Sequence, residues 1–167
     1  PDTLEALFAL KAEGHLYSRI SNPTVGALED KYTKLEGGVG AVATASGQSA
    51  ILYAVLNLCK AGDHIISVTS LYGGTVNLFN VHLKNLGIEV SFVEPDASEE
   101  EILSLAKENT KAIYGETIGN PGLNILDFDK FSSVAKKIQV PLIIDNTVAT
   151  PYHCNPFEHG ANIVVHS

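Results

Sequence analysis

The sequence predicts an α/β fold with a mostly parallel sheet and helices on both faces. Short apolar runs rich in β-branched residues alternate with helical patterns, turn-forming residues bound each run, and a polar residue follows most of them. Such runs are typical of strands that are buried on both faces of a sheet. Ligands of open α/β sheets bind beyond the carboxyl ends of the strands, so the polar residues after the runs are the candidate site.

Six apolar runs are predicted as strands, at residues 41–44, 65–68, 88–93, 111–116, 142–145 and 163–165. Helical patterns lie at residues 3–13, 25–36, 49–58, about 98–108 and 127–137, with a further helix that ends at residue 86. Thr24 is the predicted cap of the second helix, and Ser98 with Glu101 predicts a capping box. We expect two parts of the chain, an N-terminal helical segment, 1–36, and a larger domain, 37–167.

Composition narrows the class of protein. The chain has 167 residues, 45% of them apolar and 18% charged, which indicates a globular domain with a real core. A formal net charge of -8 argues against nucleic acid as a partner. We expect no membrane interaction, since no apolar run reaches membrane-spanning length and no signal peptide is recognisable. Cys59 and Cys154 lie far apart and fit no zinc spacing, so a reducing cytoplasm is expected.

The stretch 141–151, PLIIDNTVATP, carries the most informative candidate, Asp145. This residue ends a predicted strand, which places its carboxylate at the edge of the sheet. A carboxylate there can bind a ribose, a magnesium ion or a protonated ring nitrogen. The alternative is a simple turn or helix cap.

The segment Ser46-Gly47-Gln48 lies between a predicted strand and an apolar helix. The unpaired N–H groups of a helix's first turn bind phosphate well, and glycine lets the ligand approach closely. A plain N-cap explains the segment equally well. A dinucleotide-binding fingerprint is formally present just before it, at residues 38–43, but that motif must follow a strand and open a helix, which disfavours a nucleotide-binding domain.

Two other polar residues, Tyr72 and Asn120, follow predicted strands. Tyr72 stands beside two glycines and can stack on a flat ligand or pack on its own loop. Asn120 precedes a proline in a loop that the dipeptide holds extended, where its amide can donate to a ligand oxygen or belong to an ordinary turn. Tyr17 and Arg19 are two residues apart, so in an extended segment both would face one phosphate or carboxylate, unless the loop is merely solvated. A metal site at residues 153–159 is disfavoured because the spacing of its His and Cys residues does not match that of a complete set of metal ligands.

Six stretches together resemble the Cys/Met-metabolism family of pyridoxal-phosphate (PLP) enzymes along essentially the whole chain. They are YSRISNPT, TASGQSAI, LYGGT, ETIGNP, DNTVATP and HGANIVVHS, in matching order. The resemblance implies the fold type I of PLP-dependent transferases and PLP as the cofactor. It also implies a homodimer or dimer of dimers (a homotetramer) with shared active sites.

The resemblance also implies roles for individual residues. Asp145 would pair with the pyridine nitrogen, and Tyr72 would stack on the ring and assist proton transfer or departure of the leaving group. Asn120 would bind the 3-oxygen of the ring. The remaining roles are phosphate binding by Ser46, Gly47, Gln48 and Ser167, support of the site by Glu116 and Thr147, and contact with the phosphate of the neighbouring subunit by Tyr17 and Arg19.

Within the family, Gly74 and the ETIGNP stretch favour members that replace the acetate of O-acetyl-L-homoserine by sulfide or methanethiol. The alternatives are γ-lyases and γ-synthases of the same family. The Schiff-base lysine of the family lies three residues after the serine that matches Ser167. We therefore expect these residues to be a piece of a longer enzyme, lacking that lysine and the C-terminal domain and inactive alone; a non-catalytic phosphate-binding fragment is the other reading.

Overall fold

The computed structural model describes residues 2–9, 11–12 and 14–167, and it divides into two compact units at the Ala43–Thr44 bond. Among the described residues, no helix combines the length and the apolar character that crossing a membrane requires.

The first unit contains two helices, α1 (Asp2–Phe8) and α2 (Pro23–Glu36). α1 ends before the predicted residue 13, although residues 10 and 13 lie outside the described part. The cap of α2 is Asn22 and not Thr24, because the Asn22 side chain accepts hydrogen bonds from the backbone N–H groups of Thr24 and Val25 at 2.9 and 3.3 Å. Pro23 suits the first helical position because it has no N–H to satisfy.

The strand predicted at residues 41–44 is absent, and these residues are irregular. The Ala43 N–H donates to the Glu29 side chain at 2.8 Å, so a helix residue satisfies a backbone group that a strand would pair with a neighbour. Val42 is 84% exposed. An apolar run becomes a strand only where another strand lies beside it, and the described residues place no strand beside this run.

The second unit is a five-stranded, entirely parallel sheet in the order β2-β1-β3-β4-β5, which confirms the predicted α/β fold. The strands are β1 (His64–Val68), β2 (Glu89–Val93), β3 (Thr110–Glu116), β4 (Leu142–Asp145) and β5 (Ile163–Val165). The helices are α3 (Gly47–Leu58), α4 (Gly73–Asn77), α5 (Glu99–Ser104), α6 (Phe128–Lys137) and α7 (Thr150–His153), with a π-helical segment at Leu78–Leu83 after α4 and a 3₁₀ turn at Pro156–His159.

The core consists mainly of the strands' aliphatic side chains, with Ile65, Ile66, Ile113 and Ile144 fully buried. Burial on both faces is why these strands read as nearly continuous apolar runs. The predicted capping box of α5 is confirmed, but the helix ends at Ser104 and not at residue 108.

His64 joins three strands at the amino-terminal edge of the sheet. Its fully buried ring lies 2.8 Å from the hydroxyl of Thr110 on β3 through Nδ1 and 2.8 Å from the hydroxyl of Ser91 on β2 through Nε2. Burial, and secondarily the nearby Lys107, hold the pKa of His64 below its ordinary value.

Candidate functional site

The carboxyl ends of β3 and β4 lie side by side and form the middle of the candidate site. Glu116 and Asp145, the last residues of these strands, are register partners in the parallel ladder. The Thr117 N–H then donates to the Asp145 carbonyl at 3.0 Å, which continues the pairing one step beyond the strands. Two carboxylates are thereby brought to the same edge of the sheet.

Glu116 connects two loops of this edge. Its side chain is only 5% exposed and accepts a hydrogen bond from the backbone N–H of Tyr72 at 2.8 Å. The backbone N–H of Asn120 donates to it as well. Burial raises the pKa of Glu116 to about 7; the Tyr72 N–H opposes this rise, and the nearby Asp145 adds to it.

Asp145 is half-buried and is held from two sides. Its Oδ1 accepts the backbone N–H of Thr147 at 2.9 Å. Its Oδ2 accepts the phenol O–H of Tyr114 at 3.5 Å. Together the two bonds fix the orientation of the carboxylate.

Tyr72 immediately precedes α4, and its side chain is 53% exposed at the edge of the sheet. The ring lies against Gly74, where a Cβ atom would come within 2.5 Å of Tyr72 Cε1. Since its backbone is bonded to Glu116, Tyr72 is anchored while its ring remains accessible. Asn120 is exposed in the loop after β3.

The first turn of α3 and Ser167, two residues after β5, meet at a candidate phosphate site that we call the anion cradle. Gly47 and Gln48 are its first two helical residues, and the hydroxyl of the N-cap residue Ser46 accepts the Ser49 N–H at 3.1 Å. The first N–H groups of a helix have no partner within it. A Cβ atom at Gly47 would lie 2.4 Å from Ser167 Cβ, so only glycine lets these two segments approach.

Ser167 is connected in turn to the Asp145 loop, since its N–H donates to the hydroxyl of Thr147 at 3.0 Å. Thr147 therefore contacts both halves of the site: its N–H bonds the Asp145 carboxylate and its hydroxyl bonds Ser167. The sequence-predicted residues of the second unit thus follow strand ends or begin a helix at one edge of the sheet.

Tyr17 and Arg19 belong to the first unit. The segment that contains them is a turn, in which the N–H groups of Ile20 and Ser21 both bond the Tyr17 carbonyl, so the extended segment in which both side chains would face one anion is not formed. The Arg19 guanidinium carbon nevertheless lies 5.0 Å from the centre of the Tyr17 ring, within reach of a cation–π contact.

Sequence reasoning missed two buried residues behind the site, Tyr114 and Thr75. Tyr114 is two residues before Glu116 on β3 and therefore lies on the same face of the sheet. A polar aromatic residue in an aliphatic strand, in phase with a carboxylate at its end, was the available signal. Thr75, in the first turn of α4, gives no comparable signal.

These residues suit a ligand with a phosphate at one end and a positive charge at the other. The N-terminus of α3 can bind the phosphate, and the Asp145 carboxylate, at the same edge of the sheet, can stabilise the positive charge. A model of the Cys/Met metabolism PLP-dependent enzyme family matches residues 2–167, and the chain belongs to this family.

Two curated relatives of the chain are both named O-acetyl-L-homoserine sulfhydrylase. The chain is 49% identical over 166 residues to the O-acetyl-L-homoserine sulfhydrylase of Leptospira meyeri, covering 99% of this chain and 37% of that protein. It is 48% identical over 168 residues to O-acetyl-L-homoserine sulfhydrylase 1 of Thermus thermophilus, covering 100% of this chain and 40% of that protein. The chain thus spans about two fifths of the length of the curated relatives it matches.

Solved structures show the same fold. A Campylobacter jejuni crystal structure, described as an O-acetylhomoserine (thiol)-lyase that carries N'-pyridoxyl-lysine-5'-monophosphate, superposes with a TM-score of 0.92 at 40% identity and covers 99% of this chain and 41% of that one. A Wolinella succinogenes structure, described as O-acetylhomoserine sulfhydrylase, superposes with a TM-score of 0.83 at 36% identity and covers 87% of this chain and 41% of that one. The expected fold type I architecture is therefore confirmed.

Proposed function

We propose that this chain is the cofactor-binding part of a PLP-dependent enzyme that performs γ-replacement on O-acetyl-L-homoserine. Sulfide or methanethiol would replace the acetate, giving homocysteine or methionine. One observation carries the proposal: the anion cradle and the Asp145 carboxylate lie at one sheet edge, in a chain about half identical to sulfhydrylases of that name over nearly all its length.

The residues present fit PLP. The N–H groups of Gly47 and Gln48, with the hydroxyls of Ser46 and Ser167, supply donors for a phosphate, and the missing side chain at Gly47 lets Ser167 come close enough to join them. Thr147 supports this cradle through its bond to the Ser167 N–H.

Asp145 would pair with the ring nitrogen, since a half-buried carboxylate that accepts two hydrogen bonds is well suited to keep a proton on that nitrogen. PLP supplies a conjugated system that accepts negative charge from the substrate Cα. Asn120 would donate to the 3-oxygen, and Glu116 would hold the Asn120 and Tyr72 loops in place.

Tyr72 would lie on the ring and assist proton transfer or departure of acetate. Its accessible phenol and anchored backbone support this role. In the overall reaction the Cγ–O bond to acetate breaks, a Cγ–S bond to the thiol forms, and the thiol proton balances the charge of the leaving acetate.

We extend the proposal to the two parts of the chain and to the assembly of subunits. Residues 1–36 would form a helical segment whose Tyr17 and Arg19 reach the phosphate in a neighbouring subunit, and residues 37–167 would belong to the PLP-binding large domain. The guanidinium and phenol of these two residues are adjacent, which supports a shared anion contact. The assembly would be a cytoplasmic dimer or dimer of dimers.

The test uses the full-length protein. We expect bound PLP, seen by its visible absorbance, and homocysteine from O-acetyl-L-homoserine plus sulfide. Asp145→Asn should reduce activity by at least about a hundredfold, because a neutral side chain no longer stabilises the protonated ring. Asp96→Asn, at an exposed turn, is the matched control.

Each opposing result has a distinct meaning. Release of ammonia and a 2-oxo acid without added thiol would indicate a γ-lyase, and cystathionine formed from cysteine would indicate a γ-synthase. A full-length protein that binds no PLP would overturn the enzyme assignment itself.

A further inference from the structure

The phenol of Tyr114 is a buried group that the proposed reaction leaves unexplained. The side chain is fully buried in β3, and its ring packs edge-on against Phe79 with centroids 4.9 Å apart and an interplanar angle of 81°. Phe79 lies in the π-helical segment that follows α4. The ring is thus fixed by packing, while its hydroxyl is directed to polar partners.

These partners form a line of hydrogen bonds between two parts of the site. Gln48 Nε2, in the first turn of α3, donates to the hydroxyl of Thr75 at 3.3 Å. Thr75 is hydrogen-bonded to the Tyr114 hydroxyl, and that hydroxyl donates to Asp145 Oδ2 at 3.5 Å. The line therefore runs from the anion cradle to the carboxylate proposed to face the ring nitrogen.

Chemistry fixes the direction of the line. The amide nitrogen of Gln48 can only donate, and the Asp145 carboxylate can only accept. Each hydroxyl between them has a single hydrogen, so Thr75 donates to Tyr114 and Tyr114 donates to Asp145. Bonds aligned in this way polarise one another, which strengthens the last bond to the carboxylate.

We propose that Tyr114 is a positioning residue that orients the Asp145 carboxylate towards the ring nitrogen, with Thr75 and Gln48 as the donors behind it. This inference rests on the proposed function, since it concerns the same cofactor. Thr147 holds Oδ1 and Tyr114 holds Oδ2, so the carboxylate plane is fixed from both sides. A carboxylate held in this plane is positioned to accept the N–H of the protonated ring.

The test compares full-length wild type with Tyr114→Phe, Thr75→Val and the double variant. Both substitutions nearly conserve shape and remove one hydroxyl each. The readouts are the PLP dissociation constant and the ¹⁵N chemical shift of PLP labelled at the ring nitrogen. For Tyr114→Phe we expect about a fivefold weaker affinity and a ¹⁵N signal displaced towards that of the unprotonated ring. Thr75→Val should act in the same direction but less strongly. The double variant should equal Tyr114→Phe, because Thr75 acts on Asp145 only through the Tyr114 hydroxyl, which is already absent.

Phe79→Leu is the matched control, since it loosens the packing of the Tyr114 ring and removes no hydrogen bond. It should leave the ¹⁵N signal in place. The inference is overturned if Tyr114→Phe changes neither readout, if Phe79→Leu displaces the signal equally, or if the two single effects simply add. A wild-type protein without PLP overturns the proposed function and this inference together, whereas PLP binding with an unaffected Tyr114→Phe overturns this inference alone.

Discussion

Glu116 and Asp145 end adjacent parallel strands as register partners, yet their carboxylates have different surroundings. Glu116 is buried and bonded to the backbone of two loops. Asp145 is half-buried and receives one backbone N–H and one phenol. Equivalent positions in neighbouring strands thus have different surroundings: Glu116 is buried and bonds two loops, whereas Asp145 is partly exposed at the candidate site.

Glu116→Gln should change how stability depends on pH. The pKa of Glu116 is raised from 4.5 to about 7, so the folded state keeps its proton after the unfolded state has lost it. Wild-type stability from this group is therefore lost as pH rises from about 4.5 to about 7. The variant should lack this loss, a difference on the order of 3 kcal/mol across the window.

Chemical denaturation of both proteins across that range measures the effect. Glu100→Gln, an exposed change of the same charge on α5, is the control and should leave the profile unchanged. Parallel profiles for wild type and Glu116→Gln would contradict the assignment.

His64→Gln should flatten the opposite slope. Because burial lowers the pKa of His64 from 6.5, the unfolded state binds a proton first as pH falls. Stability from this group is present above about pH 6.5 and is lost as pH falls through the folded-state pKa. The unfolding free energy of the variant, measured between about pH 7.5 and pH 5.5, should fall less than that of wild type. His15→Gln, an exposed histidine in the other unit, should behave like wild type, and a fall as steep in His64→Gln as in wild type would show that other groups cause it.

Gly47→Ala should damage the anion cradle. The added Cβ would lie 2.4 Å from Ser167 Cβ and 2.9 Å from its Cα, so the backbone of one segment must move. We expect a loss of about 1–3 kcal/mol in stability and weaker binding of PLP or inorganic phosphate. Gly26→Ala is the control, because a Cβ there meets nothing within 4 Å in the interior of α2 and should stabilise that helix by up to about 1 kcal/mol. Unchanged phosphate affinity in Gly47→Ala would place the anion elsewhere.

Gly74→Ala should displace the Tyr72 ring. A Cβ at Gly74 would approach Tyr72 Cε1 to 2.5 Å and Gln48 Cδ to 3.4 Å, whereas one at the adjacent Gly73 meets nothing within 4 Å. Gly74→Ala should therefore alter the circular dichroism of bound PLP and lower the rate of replacement about tenfold or more, while Gly73→Ala should do neither. Equal effects of the two variants would indicate a helix-propensity effect and not a contact with the ring.

Much of the fold was predictable because the buried strands carry their signal locally. The run at 142–145 is apolar, β-branched and closed by an acid, and it forms β4 as predicted. The run at 41–44 is also mostly apolar, but among the described residues no strand lies beside it, and its Ala43 N–H is satisfied by Glu29. A strand requires a partner, which a local pattern does not contain.

The same limit applies to the site. The residues that follow strands could be located, because parallel strands end at one edge, and their assigned roles stay predictions. The bond from the Tyr72 N–H to Glu116 spans 44 positions, and the line from Gln48 to Asp145 depends on how α4 packs beside β3. Register and packing, which no single segment encodes, decide those contacts. The cap of α2 was missed for a simpler reason: Pro23 moved the helix start by two residues.

The bonds from Glu116 to the Tyr72 and Asn120 N–H groups connect two sequence-distant loops through one buried carboxylate. A displacement that a ligand forces on one loop is transmitted to the other through a single carboxylate. In the proposed site, the spacing between the Tyr72 and Asn120 loops would therefore be set before a ring binds.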